Sequence, residues 1–494
     1  MSLDAELNAL AATQDCNCKR QKGPSQATLL VELALNNADV FLSHDDEPFA
    51  SLEGMTLPLR GEGGFGARLR SLFYRHETKA PSAQAMVDAV NTLEALASEQ
   101  PKRSVWLRTG EHKGAVYIDL GDRSWHAIEV TPDGWRIVEH APVHFWRPRK
   151  SRQLPTPQGG GSLDPLWRIV NAPSERERVL ISAWIIAALR PRGPFPIWIP
   201  TGEHGSGKSY GICTVRALVD PNAIALRSIP NQSRDLSAMA RNSWVIAIDN
   251  LSGIPAWLSD AICVVATGGG LGGRQLFTDH DEALFTYQRP CILSGIDNIA
   301  SRSDLQDRAV ETYAQSIPEV NRVEEKKLNR LFDDTAPGIM GVLLDGVSAS
   351  LKDDAVELAS LPRMADFAKA AVAAEKSLPF PEGSFMRHYT DARAEAIEAM
   401  IQHDAFAQCV IQLAPFSGTA SELLNELRSR FKPDVMRDKT FPDSPEKVAK
   451  HFRRIAQNLR AAGYEVHAER RKLIIRNPLG SDSSGRHEGG MGTV

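Results

Sequence analysis

Apolar residues recur at helical spacing over Ala27–Ala34 and again over Pro81–Glu99, where Ser82 stands as an N-cap. The period then changes. Ser104–Thr109, Gly114–Leu120, Trp125–Val130 and Trp135–Val138 read as short strands separated by turn residues. This pattern predicts an N-terminal α+β domain over 26–154 that ends in an antiparallel meander. Pro155–Ser162 carries three consecutive glycines and reads as a linker over 155–162. From Leu163 the pattern is that of an α/β core over 163–333. Phe195–Pro200 is apolar, as a buried strand should be, and helix-compatible Tyr210–Leu218 follows a glycine-rich turn. Trp244–Asp249 and Pro290–Gly295 read as further buried strands. Between them Leu276–Thr278 and Ala283–Tyr287 flank the polar Asp279–Glu282, which is hairpin patterning. Helical spacing resumes over 334–405, and 406–477 shows helix, helix and hairpin signals. Residues 1–25 and 478–494 are polar or rich in Gly and Ser, and are expected to be disordered.

The bulk numbers narrow the class. At 494 residues, with 42% hydrophobic and 24% charged residues, the chain has the composition of a soluble globular protein of several domains. A net charge of −4 excludes a uniformly basic nucleic-acid coat but leaves room for a local basic face. The longest apolar stretch, Val179–Leu189, is too short to cross a bilayer, and no apolar leader opens the chain. A cytoplasmic protein without a membrane partner is expected. The six cysteines are scattered, and Cys16 and Cys18 lack the second pair that a zinc site needs. His126 and His140 read as ordinary surface or core histidines.

Chemistry concentrates at Gly202-Glu203-His204-Gly205-Ser206-Gly207-Lys208-Ser209, a full match to G-x-x-x-x-G-K-[ST] between a strand and a helix. Such a turn wraps backbone N–H groups around a triphosphate. Lys208 would reach the outer phosphates, Ser209 would place its hydroxyl on Mg²⁺, and Tyr210 borders the loop. The expected cofactors are ATP and Mg²⁺. Trp244–Asp249 is an apolar run that ends in a carboxylate, and Asp249 would complete the Mg²⁺ shell. Asn250 follows. An amide cannot act as a general base, although it can orient water.

The glycine loop, the strand ending Asp249-Asn250, a hairpin, the strand ending Ser294-Gly295 and Asp304-Leu-Gln-Asp-Arg308 occur in that order. This order resembles AAA+ ATPases, especially the superfamily 3-like replicative helicases and ATP-binding proteins of phages, plasmids and integrative elements. The resemblance covers about residues 165–370. It implies a P-loop NTPase core with a helical lid. Asn250 stands where many AAA+ ATPases carry Glu. The resemblance further implies that Ser294 stands at the sensor 1 position and that Arg363 is the lid arginine called sensor 2. Arg308 would be an arginine finger reaching the nucleotide of the next subunit in a ring. The hairpin would face the pore, with Arg274 and His280 against single-stranded DNA.

The C-terminal segment adds a second basic element. Thr419-Ala-Ser-Glu422 is a capping box, and Ser444-Pro445 opens a helix with Val448, Phe452, Ile455 and Leu459 on one stripe. Lys447, Lys450, His451, Arg454, Gln457 and Asn458 lie off that stripe, on the side expected to be polar. A hairpin with Arg470 and Arg471 at its turn follows. This is winged-helix-like patterning, and Lys447, Lys450, Arg454, Arg470 and Arg471 are the candidate contacts to duplex DNA. The expectation is an ATP-hydrolysing, ring-forming motor on DNA, a replicative helicase of a mobile genetic element, with replication proteins as further partners. Two alternatives stay open: an AAA+ ATPase that remodels or loads a protein partner, and a slow-hydrolysing nucleotide switch.

Overall fold

A computed structural model describes residues 24–269, 271–274, 282–285, 287–295, 299, 302–432, 441–469 and 472–477. His280, Arg470 and Arg471 lie outside the described residues, as does most of the two polar ends. The chain forms two compact units, one of residues up to Trp106 with Val143–Arg149, the other of Leu107–Pro142 with the chain from Lys150 onward.

In the first unit, helices Gln26–Asn37, Phe65–Glu77 and Ala83–Ser98 accompany a three-stranded antiparallel sheet. Ser25 and Ser82 cap the first and third of these helices by accepting from Thr28 N and Ala85 N. Their apolar faces meet in a core of Leu30, Phe65, Leu69, Phe73, Met86 and Leu93.

The expected single domain over 26–154 divides between the two units, because the meander groups with the core that follows it. Strands Thr109–His112, Ala115–Asp119, Ala127–Thr131 and Gly134–Val138 pair antiparallel in chain order. Two bonds tie this sheet to the long helix Glu325–Ser350: Trp135 Nε1 donates to Asp345 Oδ1 (2.9 Å) and Ser348 Oγ to Thr131 O (2.6 Å). The deeper reason is Arg108, which is 1% exposed. Its guanidinium donates to Asp119 O, Ser151 Oγ and Arg152 O, and approaches Asp220 Oδ1 at 3.5 Å. Asp220 in turn accepts from the backbone N–H groups of Trp244 and Val245, at the entry to a core strand. A buried charge without such partners would cost several kcal/mol, on the order of 3–5.

The core is a four-stranded parallel sheet in the order Ile246–Leu251, Cys291–Gly295, Ile197–Gly202, Ala309–Ala314. Beyond its first edge, Arg227 makes an isolated parallel bridge to Ile248. Helix Glu175–Leu189 is apolar nearly all round because it is buried nearly all round, and Val179, Ala183 and Ala187 pack against Phe367, Phe385 and Tyr389. Those aromatic residues come from helices Ala365–Glu375 and Ser384–His403 of the expected lid region.

The glycine-rich stretch 155–162 is a docked strap. Gln158 N donates to Pro337 O (2.9 Å), and a Cβ on Gly161 would lie 2.2 Å from Gly338 O. Gly161 serves close backbone approach to helix Glu325–Ser350, and Gly160 supplies a positive φ of 77°. The hairpin after Ala256–Thr267 pairs Leu271–Arg274 with Glu282–Phe285, Arg274 opposite Glu282. The expected strand Leu276–Thr278 lies outside the described residues, as do residues 279–281 of the expected polar tip.

The C-terminal region folds as helix Ala405–Gln412, strand Phe416–Gly418, helices Ala420–Arg430 and Pro445–Ala461, then a hairpin. Its three strands pair in the order Phe416–Gly418, Leu473–Arg476, Glu465–Ala468. The Thr419–Glu422 capping box and the Ser444 cap are both formed. Val448, Phe452, Ile455 and Leu459 are buried, as their stripe requires. Among the described residues, no helix is long and apolar enough to cross a membrane.

Candidate functional site

The first core strand ends in a loop that only its sequence permits. Gly202, Gly205 and Gly207 all have positive φ, at 142°, 77° and 76°. At Gly202 a Cβ would lie 2.2 Å from Ala314 O on the neighbouring strand. The loop closes on itself through Ser206, buried, whose Oγ donates to Glu203 O (2.8 Å). Helix Lys208–Val219 begins immediately after, so its free N–H groups face the loop. Lys208 Nζ folds back to donate to Gly202 O (2.6 Å) and Glu203 O (2.9 Å). Burial lowers the Lys208 ammonium from its ordinary value, and Asp249 opposes that shift.

The second core strand delivers the carboxylate. Its pairing with Cys291–Gly295 slips between Ile248 and Leu251, and Asn250 takes φ 60° at the slip. Asp249 then accepts from Asn250 N (2.8 Å) at Oδ1 and from Ser209 Oγ (2.6 Å) at Oδ2. Ser209 and Asp249 thus meet across the gap between two strands, with the donor set of a hard divalent cation. Ser294, at the tip of the intervening strand, is fully buried. Its Oγ has no partner among the described residues. Lys208, Ser209, Asp249, Asn250 and Ser294 share one cavity of about 380 Å³ with His204 and Tyr210. Among the described residues lining it, Asp249 is the one carboxylate.

Arg363, expected as the lid arginine, and Arg308, expected to reach the nucleotide of the next subunit, both pair with Asp304. Arg308 is 15% exposed, and its Nη1 donates to Asp304 Oδ1 (2.5 Å) and Asp304 O (2.7 Å). Arg363 donates to Asp304 Oδ1 (2.8 Å) and Asp307 Oδ2 (3.2 Å). Arg393 and Gln457 also reach Asp307, at 3.2 and 2.6 Å. Burial alone would raise the Asp304 carboxyl, but the bond and charge of Arg308 and the charge of Arg363 outweigh it and hold the group low. Asp304 stands four positions before Arg308, so that pair is local, but nothing local in the sequence announces its second pairing with Arg363.

Residues that sequence reasoning missed include Asn171. It caps helix Asp164–Val170 in the left-handed conformation, and its Nδ2 donates to Ser206 O (2.9 Å) and Gln315 O (2.8 Å). An Asn directly after a helix is a recognisable cap, but its reach to a loop over thirty residues away is not.

On the C-terminal helix the expected polar side is divided. His451 and Asn458 are buried, and Gln457 is spent on Asp307. His451 lies 2.7 Å from Asp404 Oδ2 and stacks near Phe406. His451 and Asn458 are packing residues, because the helix is covered on a second side, while Gln457 stays exposed beside its bond to Asp307. Lys447, Lys450 and Arg454 remain exposed, joined by Arg453, which the reading of the stripe had passed over. Lys447 pairs with Asp443 at 2.9 Å, a weak surface contact, and Arg454 Nη2 lies 2.8 Å from His451 Nε2. Arg274 stands at the end of a described strand.

These features define a parallel α/β core with a glycine loop, a lysine and a paired hydroxyl–carboxylate at its strand ends. Residues 163–381 match the family of actinomycete integrative conjugative element replication proteins, and residues 395–484 match the C-terminal domain of the same replication protein. The matches tie the chain to a replication-related role in a mobile element. Among solved structures it is similar to the apo C-terminal region of NrS-1 in its A form, at 10% identity and TM-score 0.42, over 90% of this chain and 98% of that one. It is also similar to JCV helicase, at 11% identity and TM-score 0.24, over 46% of this chain and 63% of that one. No curated protein matches it.

Proposed function

We propose that the cavity at Lys208, Ser209 and Asp249 binds ATP with Mg²⁺, and that its hydrolysis drives a ring-forming replication motor on DNA. The observation that carries this is the 2.6 Å bond from Ser209 Oγ to Asp249 Oδ2, directly beside the Lys208 ammonium. A hydroxyl, a carboxylate and an ammonium in one glycine-lined cavity fit a metal-bound phosphate chain and little else. Bound Mg²⁺ neutralises charge on the outer phosphates. Lys208 would exchange its two loop carbonyls for phosphate oxygens. Ser209 and Asp249 would hold the metal. Asn250, strained at the strand bulge, would orient a water, and Ser294 Oγ, which has no partner among the described residues, would accept or donate one further bond there. The exposed Lys447, Lys450, Arg453 and Arg454 would meet DNA phosphates from a winged-helix-like C-terminal domain. A replication protein of this kind would work in the cytoplasm.

A second reading has its own observation. Asp249 is the one carboxylate among the described cavity-lining residues and is occupied by Ser209, so no general base lies within one chain's described site. A slow nucleotide switch fits that. Turnover measured with and without single-stranded DNA, alongside mass determination in a non-hydrolysable ATP analogue, separates the two. The motor requires DNA-stimulated turnover by a multimer. A monomer with slow turnover indifferent to DNA would leave the switch.

A further inference from the structure

Beside the phosphate loop lies a second, larger cavity of about 650 Å³. It shares Gly205, Gly207 and Tyr210 with the first, so the two border the same loop. Its far wall is the segment Gln315–Leu328, which joins the last core strand to the long helix Glu325–Ser350. That wall is pinned to the loop at three places. Asn171 Nδ2 donates at once to Ser206 O and Gln315 O. Tyr210 Oη donates to Asn329 Oδ1 (2.8 Å). Ile317 and Arg322 cover the two left-handed glycines: a Cβ on Gly207 would lie 3.5 Å from Ile317 Cδ1, and one on Gly205 would lie 3.5 Å from Arg322 Nη2.

We infer that Arg322 contacts the phosphates of a nucleotide bound by its own chain, and that the cavity it borders receives the nucleoside. The inference deepens the nucleotide reading above and rests on it. Arg363 and Arg308 are both spent on Asp304, whereas the Arg322 guanidinium is 55% exposed and its nearest carboxylate, Glu319, is 3.8 Å away and itself 88% exposed. A pair that loose gives way readily to a phosphate, which a guanidinium binds through parallel charged hydrogen bonds. The cavity beyond it is apolar where a base would stack, with Ile169, Ile317, Val323 and Leu328, and has polar groups in Asn321 and Glu325 for the sugar or base edge.

Calorimetric titration of the full chain with ATP and with inorganic tripolyphosphate, both with Mg²⁺, tests the two halves separately. Arg322→Ala should weaken both ligands roughly 10-fold or more, and Arg322→Lys should recover part of the loss. Val323→Asp, at a site 54% exposed and so tolerant of the change, should weaken ATP while tripolyphosphate stays within about 2-fold. Unchanged affinity in Arg322→Ala would overturn the phosphate role. Equal loss of both ligands in Val323→Asp would overturn the nucleoside pocket. An unaltered chain that binds neither ligand would overturn the nucleotide reading itself, and this inference with it.

Discussion

Ser294 and Lys208 sit in one cavity and make opposite kinds of prediction. Ser294 carries a buried hydroxyl with no partner among the described residues, which is a cost to the fold. Ser294→Ala should therefore leave the unfolding midpoint in denaturant equal or higher, while ATP turnover falls. A parallel loss of stability and turnover would mean that the hydroxyl is structural. Lys208→Ala should cut turnover by at least about 10-fold, since a charged bond to phosphate is worth roughly 1.5–3 kcal/mol. Near-normal turnover in that variant would remove the ATPase assignment. The loop, Lys208 and Asp249 were legible in the sequence because each is set by a short local pattern: glycines where φ is positive, and a carboxylate at the end of an apolar run. Asn171 and Arg322 were not. Their reach to the loop depends on where distant segments pass each other, and neither carries a residue pattern that says so.

The helix Pro445–Ala461 shows how an element can be read correctly and its surface misread. Its cap, its first proline and its apolar stripe were all legible, because helix period and capping act within a few residues. Its second buried side was not, because it depends on Asp404 and Asp307 from other elements. Asp307 is the point where helices Ser384–His403 and Pro445–Ala461 and the turn before helix Ala365–Glu375 meet the core, through Arg393, Gln457 and Arg363. Asp307→Ala should destabilise the chain by on the order of 2 kcal/mol, less than a fully buried pair would cost because its arginine partners are partly exposed. Limited proteolysis should cut near 404–445 sooner in that variant, and an unchanged digestion pattern would count against the coupling. The exposed face makes a separate prediction. Replacing Lys447, Lys450 and Arg453 with alanine should lower duplex affinity and reduce the salt slope by about one unit per lost phosphate contact, with the fold retained. If filter binding at low salt shows no difference, this helix docks protein instead of DNA.

At the scale of the molecule, the order of elements was legible and the grouping of the meander was not. Strand period and turn residues placed three of its four strands; the first, Thr109–His112, begins where the expected Ser104–Thr109 ends, and Val105–Trp106 pairs with His144–Phe145 instead. The meander's allegiance is set by one buried guanidinium, Arg108, whose partner Asp220 lies over a hundred residues away. A prediction belongs here too. If the proposed ring-forming motor completes its site with a group from a neighbouring chain, turnover per chain should rise with protein concentration through the assembly range; Asp249 is the one carboxylate among the described residues lining the cavity. A rate per chain that stays constant on dilution to monomer would contradict this. The path of the chain carries a last consequence, for inheritance. It leaves the first unit at Trp106, builds the meander, returns for Val143–Arg149, and only then continues into the core. A single recombination junction within the meander of two such genes would leave the first unit with a foreign Val143–Arg149 segment in its own fold. The N-terminal unit can be traded between mobile elements only by a double exchange, or by one whose junctions spare both the meander and its return.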